Sequence, residues 1–470
     1  MAQLDEDTIC AIATPPGRGG IGIVRISGPD TESLVRKICG FVPQPRTAEF
    51  SKFTNKNGAV LDEGIVILFP APNSFTGETV AEFQGHGGMQ VLNSLLRLLI
   101  DHGARLARPG EFSERAFLNG KVDLLQAEAI ADLIDASSEQ AARGAIQTLQ
   151  GVFSARIDEL NEQITRIRVN VEAAIDFSDE DIDIIGDQKV AASVDEARHT
   201  LTSIFAQAKQ GALLKEGLNI VIAGEPNAGK SSLLNALAGV DTAIVTDIPG
   251  TTRDLLKEQL HIDGLPLHIT DTAGLRLSED PVEQEGVRRA RKAIADADKI
   301  LLVIDSTEID SPAANINERL NRILESLLLD EQDHQQLLHR LCLVLNKIDL
   351  LADSAPGGSS TCYQDLDLPV FNISAMFGAG LDSLREHLKT SSGFNAASEG
   401  AFIARERHLI ALGFAQECLN KVASGISERS PLELVAEDLR LAQQHLGGIT
   451  GQFSSDDLLG EIFSSFCIGK

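Results

Sequence analysis

The chain has 470 residues, of which 43% are apolar, and its formal net charge is −27. A chain of this length is too long for one hydrophobic core, so we expect two to four domains. The acidic balance argues against broad, salt-driven binding of nucleic acid through a basic face, and no run of about 18 apolar residues indicates a membrane span.

The first 120 residues mix short strand patterns and glycine turns with one helix pattern at about 89–102. The stretch PPGRGG has the spacing of neither a phosphate-binding loop nor a dinucleotide fingerprint, so it indicates a turn. His86, in GHGG, is interpreted as a structural residue. The acidic start lacks the pattern of a secretory signal, and the six cysteines show no C-x-x-C spacing. We therefore expect a cytoplasmic protein.

Helix patterns flank the centre of the chain on both sides. Apolar residues that recur every three or four positions predict a long amphipathic helix with a coiled-coil-like face. These residues are Phe153, Ile157, Leu160, Ile164, Ile167 and Val171. Further helix patterns cover 190–215, 401–426 and 431–446.

A nucleotide-binding motif lies at the centre of the chain. The apolar run LNIVIA at 218–223 predicts a buried parallel strand, and GEPNAGKSS at Gly224–Ser232 follows it directly before a helix pattern. In this G-x-x-x-x-G-K-S motif the glycines let backbone N–H groups surround phosphates, Lys230 reaches the β and γ oxygens, and Ser231 can bind Mg²⁺. An ordinary glycine turn before a helix is the alternative, but it does not account for the motifs that follow.

The base is predicted to be guanine. LVLNKIDLL places Asn346, Lys347 and Asp349 at the end of another strand pattern. The Asp349 carboxylate can accept hydrogen bonds from guanine N1–H and the 2-amino group, which adenine does not present, so ATP would leave the carboxylate unpaired. NISAM, with Ser374 and Ala375, resembles the last loop on the guanine side. The nucleotide is therefore expected to be GTP.

Residues near the phosphates indicate how GTP is hydrolysed. In DTAG, Asp271 can hold the water of the metal ion, and Gly274 can donate its N–H to the γ-phosphate. Ras-like proteins orient the attacking water with a glutamine at the position of Leu275. Another group must therefore orient the water in this chain.

A potassium ion is expected beside the phosphates. Asn227 resembles the K⁺-binding asparagine of potassium-dependent G proteins, and TDIPGTTRD at Thr246–Asp254 resembles their first switch. K⁺ there would neutralise charge that develops on the β–γ bridge, as an arginine finger does. In the alternative interpretation, Asn227 only caps the loop. The predicted K⁺ ligands are Asn227, Thr246, Ile248 and Thr251, and the Mg²⁺ ligands are Ser231 and Thr252.

The complete predicted GTP site combines these motifs. It comprises Asn227, Ala228, Gly229, Lys230, Ser231, Ser232, Thr246, Asp247, Ile248, Pro249, Gly250, Thr251, Thr252, Asp271, Thr272, Ala273, Gly274, Asn346, Lys347, Asp349, Ser374 and Ala375. Lys230 is also a predicted catalytic residue, because its amine contacts the phosphates between which the bond breaks.

The central segment is predicted to be a doubly wound α/β sheet with its site at the carboxyl ends of the strands. Its strand patterns, which alternate with helix patterns, lie at 218–223, 257–262, 266–271, 299–305, 341–346 and 369–373. Asp263 and Gly264 predict a tight hairpin turn, and 306–336 resembles an elongated crossover helix. Helices on both sides suggest that this domain is inserted into a helical one, since the termini of a domain usually lie close together.

Across its length the chain resembles the MnmE (TrmE) family of bacterial tRNA-modification GTPases. The resemblance rests on TICAIATPPGRGGIGIVRISGP, FTGETVAEFQGHGG, RPGEFSERAFLNGKVDLLQAEAIADLIDASS, the nucleotide motifs and the final CIGK. It implies a folate-binding-like α+β domain at 1–120 through which the family dimerises, a helical domain built from 121–216 and 390–470, and an inserted P-loop G domain at 217–389.

The resemblance also implies further site residues. Glu283 matches a glutamate that positions the attacking water, although an acid favoured at a helix N-terminus is an equal alternative. Arg25, Glu82, Lys121 and Lys470 would bind a 5-formyl- or methylene-tetrahydrofolate, with the acid on the pterin and the bases on its polar tail. From sequence alone, Arg25 would be a charge at a strand end, and Glu82 and Lys121 would be solvated side chains.

The ending CIGK places Cys467 four residues from the last residue. It fits a prenylation box badly, because Gly469 is not aliphatic and Lys470 is not a usual terminal residue. The resemblance implies instead that Cys467 lies near the folate, either as a catalytic nucleophile or as a packing and recognition element.

The function implied by the resemblance is addition of a carboxymethylaminomethyl or aminomethyl group to C5 of the wobble uridine, U34, of tRNA. A homodimer of the chain would act with the FAD-containing MnmG protein in a heterotetrameric complex, away from membranes. A ribosome-assembly GTPase is the alternative, but it would normally append a basic RNA-binding domain, and the segment after 390 is neutral to acidic. A membrane transporter's G domain ranks last, because no spanning segment is predicted.

Overall fold

The structure is a computed structural model. It describes residues 7–176, 188–239, 257–271, 292–308, 339–351, 368–394, 402–452, 456–464, 466 and 469. The chain forms two compact units. Unit 1 comprises Met1–Asp135, Ala145–Ala206 and Glu406–Lys470, and unit 2 comprises Ala136–Gly144 and Gln207–Arg405. None of the helices in these ranges is both long and apolar enough to cross a membrane.

Strands and helices are numbered along the described residues. The strands are β1 Ile9–Ile12, β2 Gly19–Ser27, β3 Glu49–Thr54, β4 Val60–Phe69, β5 Val80–Gly87, β6 Arg105–Leu106, β7 Leu218–Gly224, β8 Lys257–Ile262, β9 Leu265–Asp271, β10 Lys299–Asp305, β11 Leu341–Asn346 and β12 Val370–Asn372. The helices are α1 Thr31–Cys39, α2 Met89–Asp101, α3 Glu111–Leu118, α4 Leu124–Asp135, α5 Glu139–Leu149, α6 Val152–Asp176, α7 Gln188–Glu216, α8 Lys230–Ala238, α9 Leu381–Ser391, α10 Glu406–Ser427, α11 Leu432–Thr450 and α12 Asp456–Ser464.

Unit 1 contains a six-stranded sheet in the order β3-β4-β5-β2-β1-β6, in which β1 and β6 are parallel and the other neighbours are antiparallel. Helices α1 and α2 cover one face, where Val24, Val66 and Phe83 join the hydrophobic core. Successive residues of a strand point to opposite faces. The opposite face, called the open face below, therefore carries Arg25 and Glu82.

The helical part of unit 1 packs around α6. All six apolar residues of the predicted stripe, from Phe153 to Val171, are buried, and α11 packs against both α6 and α10. The predicted amphipathic helix is thus confirmed. Helix α10 begins later than the helix pattern at 401–426, because the described residues 402–405 are not helical.

A buried cluster of Glu128, Arg407 and His408 joins α4 to the first turn of α10. The Glu128 carboxylate accepts hydrogen bonds from Arg407 Nε at 2.8 Å and Nη2 at 2.7 Å, and it lies 3.0 Å from His408 Nε2. Arg407 also donates to the carbonyl oxygens of Gly448 and Ile449 near the end of α11. The buried cluster therefore fastens three helices together.

Unit 2 contains the second sheet, in the order β12-β11-β10-β7-β9-β8. All neighbours are parallel except β8 and β9, which form the predicted hairpin with its turn at Asp263 (φ 49°) and Gly264 (φ 88°). The predicted strands and the doubly wound sheet are thus confirmed. Most of the predicted crossover helix at 306–336 lies outside the described residues, and Ser306–Glu308 form a short 3-10 helix.

Candidate functional site

The loop between β7 and α8 has a backbone that the sequence dictates. Gly224 has φ 149°, and a Cβ there would lie 2.1 Å from the carbonyl oxygen of Val303. Asn227 (φ 64°) and Gly229 (φ 92°) both adopt left-handed conformations, which asparagine and glycine tolerate best. These residues allow the loop to turn sharply, so that α8 begins at Lys230.

The end of this loop presents hydrogen-bond donors. Lys230 is only 9% exposed, and its Nζ donates to the carbonyl oxygens of Gly224 at 3.0 Å and Glu225 at 2.9 Å. The amine is therefore held inside the loop. Ser231 and Ser232 are exposed in the first turn of α8, where backbone N–H groups lack partners within the helix and favour anions. This arrangement suits a phosphate chain.

The guanine loops meet at the end of β11. Asn346 is 2% exposed, its Nδ2 donates to the carbonyl oxygen of Ala228 at 3.0 Å, and its Oδ1 accepts from Ala375 N–H at 3.0 Å. The Ser374 hydroxyl donates to Asp349 Oδ1 at 2.5 Å, which orients a carboxylate whose residue is exposed. Three separate stretches of the sequence are thus brought together, as the motifs predicted.

Asp305, which the sequence motifs did not identify, also belongs to this group. Lys347 has a left-handed backbone (φ 66°), and its Nζ donates to Asp305 Oδ2 at 2.6 Å. The Thr307 hydroxyl donates to Asp305 Oδ1 at 2.7 Å. Burial raises the pKa of Asp305, but the hydrogen bonds from Lys347 and Thr307 outweigh it, so the pKa lies below its usual value. The position of Asp305 at the carboxyl end of a parallel strand was the available signal.

Several predicted residues lie outside the described part of the chain. They are Glu283, Thr246, Asp247, Ile248, Pro249, Gly250, Thr251, Thr252, Thr272, Ala273, Gly274, Cys467 and Lys470. Asp271 is the last residue of β9, and only its backbone is described. The predicted Mg²⁺ and K⁺ ligand sets and the water-positioning role of Glu283 therefore stay predictions.

A second group of predicted residues meets on the open face of unit 1. Arg25 in β2 and Glu82 in β5 are register partners, and Arg25 Nε and Nη2 donate to Glu82 Oε1 at 3.0 and 2.9 Å. The Arg25 guanidinium also lies 5.7 and 5.8 Å from the ring centroids of Phe75 and Phe112. The side chains of Arg25 and Glu82 are 24% and 15% exposed. Arg25 lies within β2 and not at its end, and Glu82 is a paired, partly buried residue and not a solvated one.

Lys121 and Gly469 lie near the same segment of unit 1. A Cβ at Gly77 would lie 3.3 Å from Lys121 Cγ and Cδ, which places this lysine beside the loop that carries Phe75. Gly469 (φ 96°) approaches β1 so closely that a Cβ would lie 2.3 Å from the carbonyl oxygen of Ile12. Ile12 follows Ala11, the register partner of Arg25. The tail residue thus lies beside the strand pair that carries Arg25.

His86 is held by a carboxylate that the sequence did not indicate. Its Nδ1 lies 2.7 Å from Asp62 Oδ1, and its backbone N–H donates to Asp62 Oδ2 at 2.8 Å. The imidazole is 70% exposed. The hydrogen bond with Asp62 raises the pKa of His86, and this carboxylate also satisfies a backbone donor of β5.

Comparison with known proteins identifies the family of the chain. Residues 8–121 match the family model described as the GTP-binding protein TrmE N-terminus, and 124–467 match the MnmE helical domain. The tRNA modification GTPase MnmE of Marinomonas sp. is 53% identical over 466 residues, covering 99% of this chain and 98% of that protein. Its counterpart in Coxiella burnetii is 51% identical over 470 residues, covering 100% of both.

Among solved structures, the G domain of the FeoB iron transporter from T. maritima is 24% identical and covers 37% of this chain and 98% of that chain. Its TM-score is 0.27, too low to establish a shared overall fold. The full-length relatives and the two matching family models are sufficient to identify the family. The chain belongs to the MnmE family and is a GTPase that takes part in tRNA modification.

Proposed function

We propose that this chain is the GTP-hydrolysing subunit of a cytoplasmic complex that adds a carboxymethylaminomethyl or aminomethyl group to C5 of U34 in tRNA. Tetrahydrofolate would supply the carbon unit, and the FAD-containing MnmG protein would be the partner. The observation that carries this proposal is that one chain combines a GTP site at Lys230 and Asn346 with a separate cluster of Arg25, Glu82 and aromatic rings.

The division into compact units supports the proposed domain order. Unit 2 holds 207–405, whereas unit 1 holds chain on both sides of this segment. This supports a G domain, 217–389, inserted into a helical domain built from 121–216 and 390–470. The N-terminal domain at 1–120 would be the folate-binding-like domain.

Nucleoside mass spectrometry tests the pathway directly. Cells that lack the chain would be complemented with the wild-type chain or with Asp271→Ala, and carboxymethylaminomethyl-type uridines would be measured in bulk tRNA. We expect the wild type to restore them and Asp271→Ala to leave them absent, because Asp271 would hold the metal's water. Unchanged nucleosides in the deletion strain would reject this role and favour the ribosome-assembly alternative.

Potassium would assist GTP hydrolysis beside the phosphate loop. Asn227 has an exposed position on the turn just before α8, and its amide oxygen is a suitable ligand for a hard cation. Mg²⁺ would be held by Ser231 and Thr252, and Glu283 would orient the water. In a cation-bound site, K⁺ supplies positive charge near the β–γ bridge.

We expect GTP hydrolysis to be faster in K⁺ than in Na⁺ at equal ionic strength, and Asn227→Ala to remove the difference. Phosphate release under saturating GTP measures the hydrolysis rate of each variant in each cation. Asn235→Ala, an exposed change later in α8, is the matched control. Equal rates in the two cations for the wild type would rule out the potassium proposal.

The Arg25 cluster fits a reduced folate. Glu82 supplies a carboxylate for the N–H donors of a pterin, while Phe75 and Phe112 supply apolar ring surfaces beside Arg25. Lys121 and Lys470 would contact the polar tail. A bound tetrahydrofolate would supply the one-carbon unit, and these residues would hold and orient it. The nearby position of Gly469 supports a role for the tail, including Cys467, in this site.

The open face supports a homodimer. Ile21, Phe50 and Ile65 lie on strands of this sheet and are 68%, 66% and 38% exposed, and Phe50 and Ile65 are register partners. We expect Phe50→Glu to convert the dimer into a monomer by placing a charge in an apolar interface. Light scattering after gel filtration gives the mass, and Leu434→Glu on α11, also at an exposed residue, serves as the control. A dimer that survives Phe50→Glu would contradict this interface.

A further inference from the structure

An ion pair between Asp305 and Lys347 lies beside the guanine loops of unit 2. Lys347 Nζ is 2.6 Å from Asp305 Oδ2, and the side chains of Lys347 and Asp305 are 32% and 12% exposed. Asp305 is the last residue of β10 and the register partner of Asn346 in β11. The pair therefore connects the carboxyl ends of two neighbouring strands, at the edge of the sheet where the nucleotide motifs meet.

The Asp305 carboxylate is held in one orientation. Its Oδ1 accepts hydrogen bonds from the Thr307 backbone N–H at 3.0 Å and from the Thr307 hydroxyl at 2.7 Å, which leaves Oδ2 for Lys347. Burial raises the pKa of Asp305, but the hydrogen bonds from Lys347 and Thr307 lower it below its usual value, so the group is charged at neutral pH. Thr307 thus orients the carboxylate, and the carboxylate holds the amine.

The backbone of Lys347 is held as well. Its φ of 66° and ψ of 33° are left-handed, a conformation that few residues other than glycine, asparagine and aspartate adopt. On one side Asn346 donates to Ala228 of the phosphate loop, and on the other Asp349 accepts from Ser374. Because both ends of the Lys347 side chain are fixed, its four-carbon stem keeps little conformational freedom.

The Lys347 stem lies next to the expected position of the base. Asp349, whose carboxylate is expected to bind the N1–H and 2-amino edge of guanine, follows two residues later in the short 3-10 helix Ile348–Leu350. A lysine stem can cover an apolar ring face while its amine stays paired or solvated. A mobile lysine would lose rotamer freedom on covering the ring, whereas a lysine that is already held loses less.

We propose that Asp305 is a positioning residue for guanine nucleotides, which holds the Lys347 stem ready to cover the face of the base. This inference rests on the GTP-binding part of the proposed function and adds a residue that would touch neither the base nor the phosphates. Because Asp305 acts through a contact to the base, it would strengthen the binding of GTP and GDP equally. The hydrolysis step itself would not change, so the effect would fall on KM and not on kcat.

A pair of matched variants tests the inference. Asp305→Asn keeps the shape of the side chain but removes the counter-charge of Lys347. Asp263→Asn is the control, because Asp263 Oδ2 also lies 2.6 Å from a lysine amine, that of Lys389, in the same unit. Asparagine tolerates the left-handed backbone at Asp263. Fluorescence titration of the full chain with N-methylanthraniloyl-GDP and its triphosphate gives the dissociation constants, and phosphate release gives kcat and KM.

We expect Asp305→Asn to weaken the binding of GDP and GTP by the same factor, on the order of 10-fold, and to keep kcat within about twofold of wild type, because preorganisation changes affinity and not the chemical step. Asp263→Asn should bind as wild type. In a Lys347→Met background, Asp305→Asn should cause no further loss, since its effect passes through the lysine amine. Thr307→Val, which removes the orienting hydroxyl, should weaken binding in the same direction by a smaller factor.

Two results would overturn the inference while GTP binding stands. One is a folded Asp305→Asn, checked by circular dichroism, that binds GDP as tightly as wild type. The other is a loss in Asp305→Asn that adds in full to that of Lys347→Met. If Asp305→Asn does not fold, Thr307→Val with and without Lys347→Met decides between the same outcomes. If wild type itself does not bind GDP, the GTP-binding function fails and this inference fails with it.

Discussion

Two of the arginine–glutamate pairs in unit 1, Arg407–Glu128 and Arg25–Glu82, share the same chemistry but have different surroundings. In the buried cluster, Glu128 and His408 side chains are each 2% exposed, and Arg407 reaches both carboxylate oxygens and two carbonyl oxygens. In the open pair, Arg25 Nε and Nη2 both donate to one oxygen of Glu82, and the side chains are 24% and 15% exposed. The two arginines are similarly exposed, at 22% and 24%, but the Glu82 carboxylate is more accessible to a ligand than the Glu128 carboxylate.

This difference assigns the two pairs to different tasks. Removing one partner from a buried, fully hydrogen-bonded pair leaves an uncompensated charge, which is strongly destabilising. A partly exposed pair contributes little to stability, because water solvates the partner that remains. We therefore expect the buried cluster to matter for folding and the open pair for binding.

The largest effect is expected at the buried cluster. Glu128→Ala should lower the free energy of unfolding by about 3–5 kcal/mol, because Arg407 and His408 would lose their buried counter-charge. Urea unfolding followed by circular dichroism gives the value. Glu159→Ala, whose carboxylate lies in an exposed pair on α6, should change it by less than about 1 kcal/mol. Equal losses of unfolding free energy in Glu128→Ala and Glu159→Ala would show that the buried cluster is no more important for stability than an exposed pair.

The same cluster should make stability depend on pH. Burial raises the pKa of Glu128, but His408 and Arg407 outweigh it, and the pKa falls far below the ordinary 4.5. Its contribution is therefore complete above about pH 4.5 and is lost as pH falls towards the folded pKa. The stability difference between wild type and Glu128→Gln, measured in urea, should be smaller at pH 4 than at pH 7. If the stability difference instead grows as the pH falls, the pKa of Glu128 is raised in the folded protein and not lowered.

At the open pair we expect a large effect on ligand binding and a small effect on the free energy of unfolding. Glu82→Gln should weaken 5-formyltetrahydrofolate binding on the order of 10-fold, because an amide is a poorer acceptor than a carboxylate. Its effect on unfolding should stay below about 1 kcal/mol. Calorimetry and urea unfolding measure the two effects on the same sample, and Glu63→Gln on β4 is the control. A large stability loss without a binding loss would make Glu82 a structural residue.

His86 and Asp62 form an intermediate case, with one exposed partner and one shielded partner. Because the hydrogen bond with Asp62 raises the pKa of His86, their attraction is complete below the ordinary 6.5 and is lost as pH rises through the folded pKa. Titration of the imidazole by NMR should give a value above that reference, and Asp62→Asn should lower it. An unchanged value in Asp62→Asn would remove Asp62 as the cause.

The arrangement of the described phosphate and guanine loops could be predicted from the sequence, because most of their chemistry lies within short, contiguous motifs. Gly224–Ser232 contains the left-handed positions and the amine within one loop, so the local spacing determines the geometry. The alternating strands and helices then predict where Asn346 must lie. Asp305 was not predicted, because a single aspartate at a strand end has no distinctive sequence spacing.

The open pair could not be predicted in the same way. Arg25 and Glu82 are 57 residues apart, and only the register between β2 and β5 brings them together. Glu128 and Arg407 are separated by 279 residues, and no local pattern distinguishes them from surface charges. Only the family resemblance indicated Arg25 and Glu82 beforehand, and nothing indicated the buried cluster.

The contact between Gly469 and Ile12 has a consequence for synthesis on the ribosome. All six strands of the unit 1 sheet lie within residues 9–106, so this sheet can form early in translation. Helix α11 and Gly469 emerge much later, yet α11 packs on α6, and Gly469 closes against β1. Unit 1 therefore stays incomplete while the ribosome makes unit 2, and its unpaired helical surfaces are the part of the nascent chain that most needs chaperone protection.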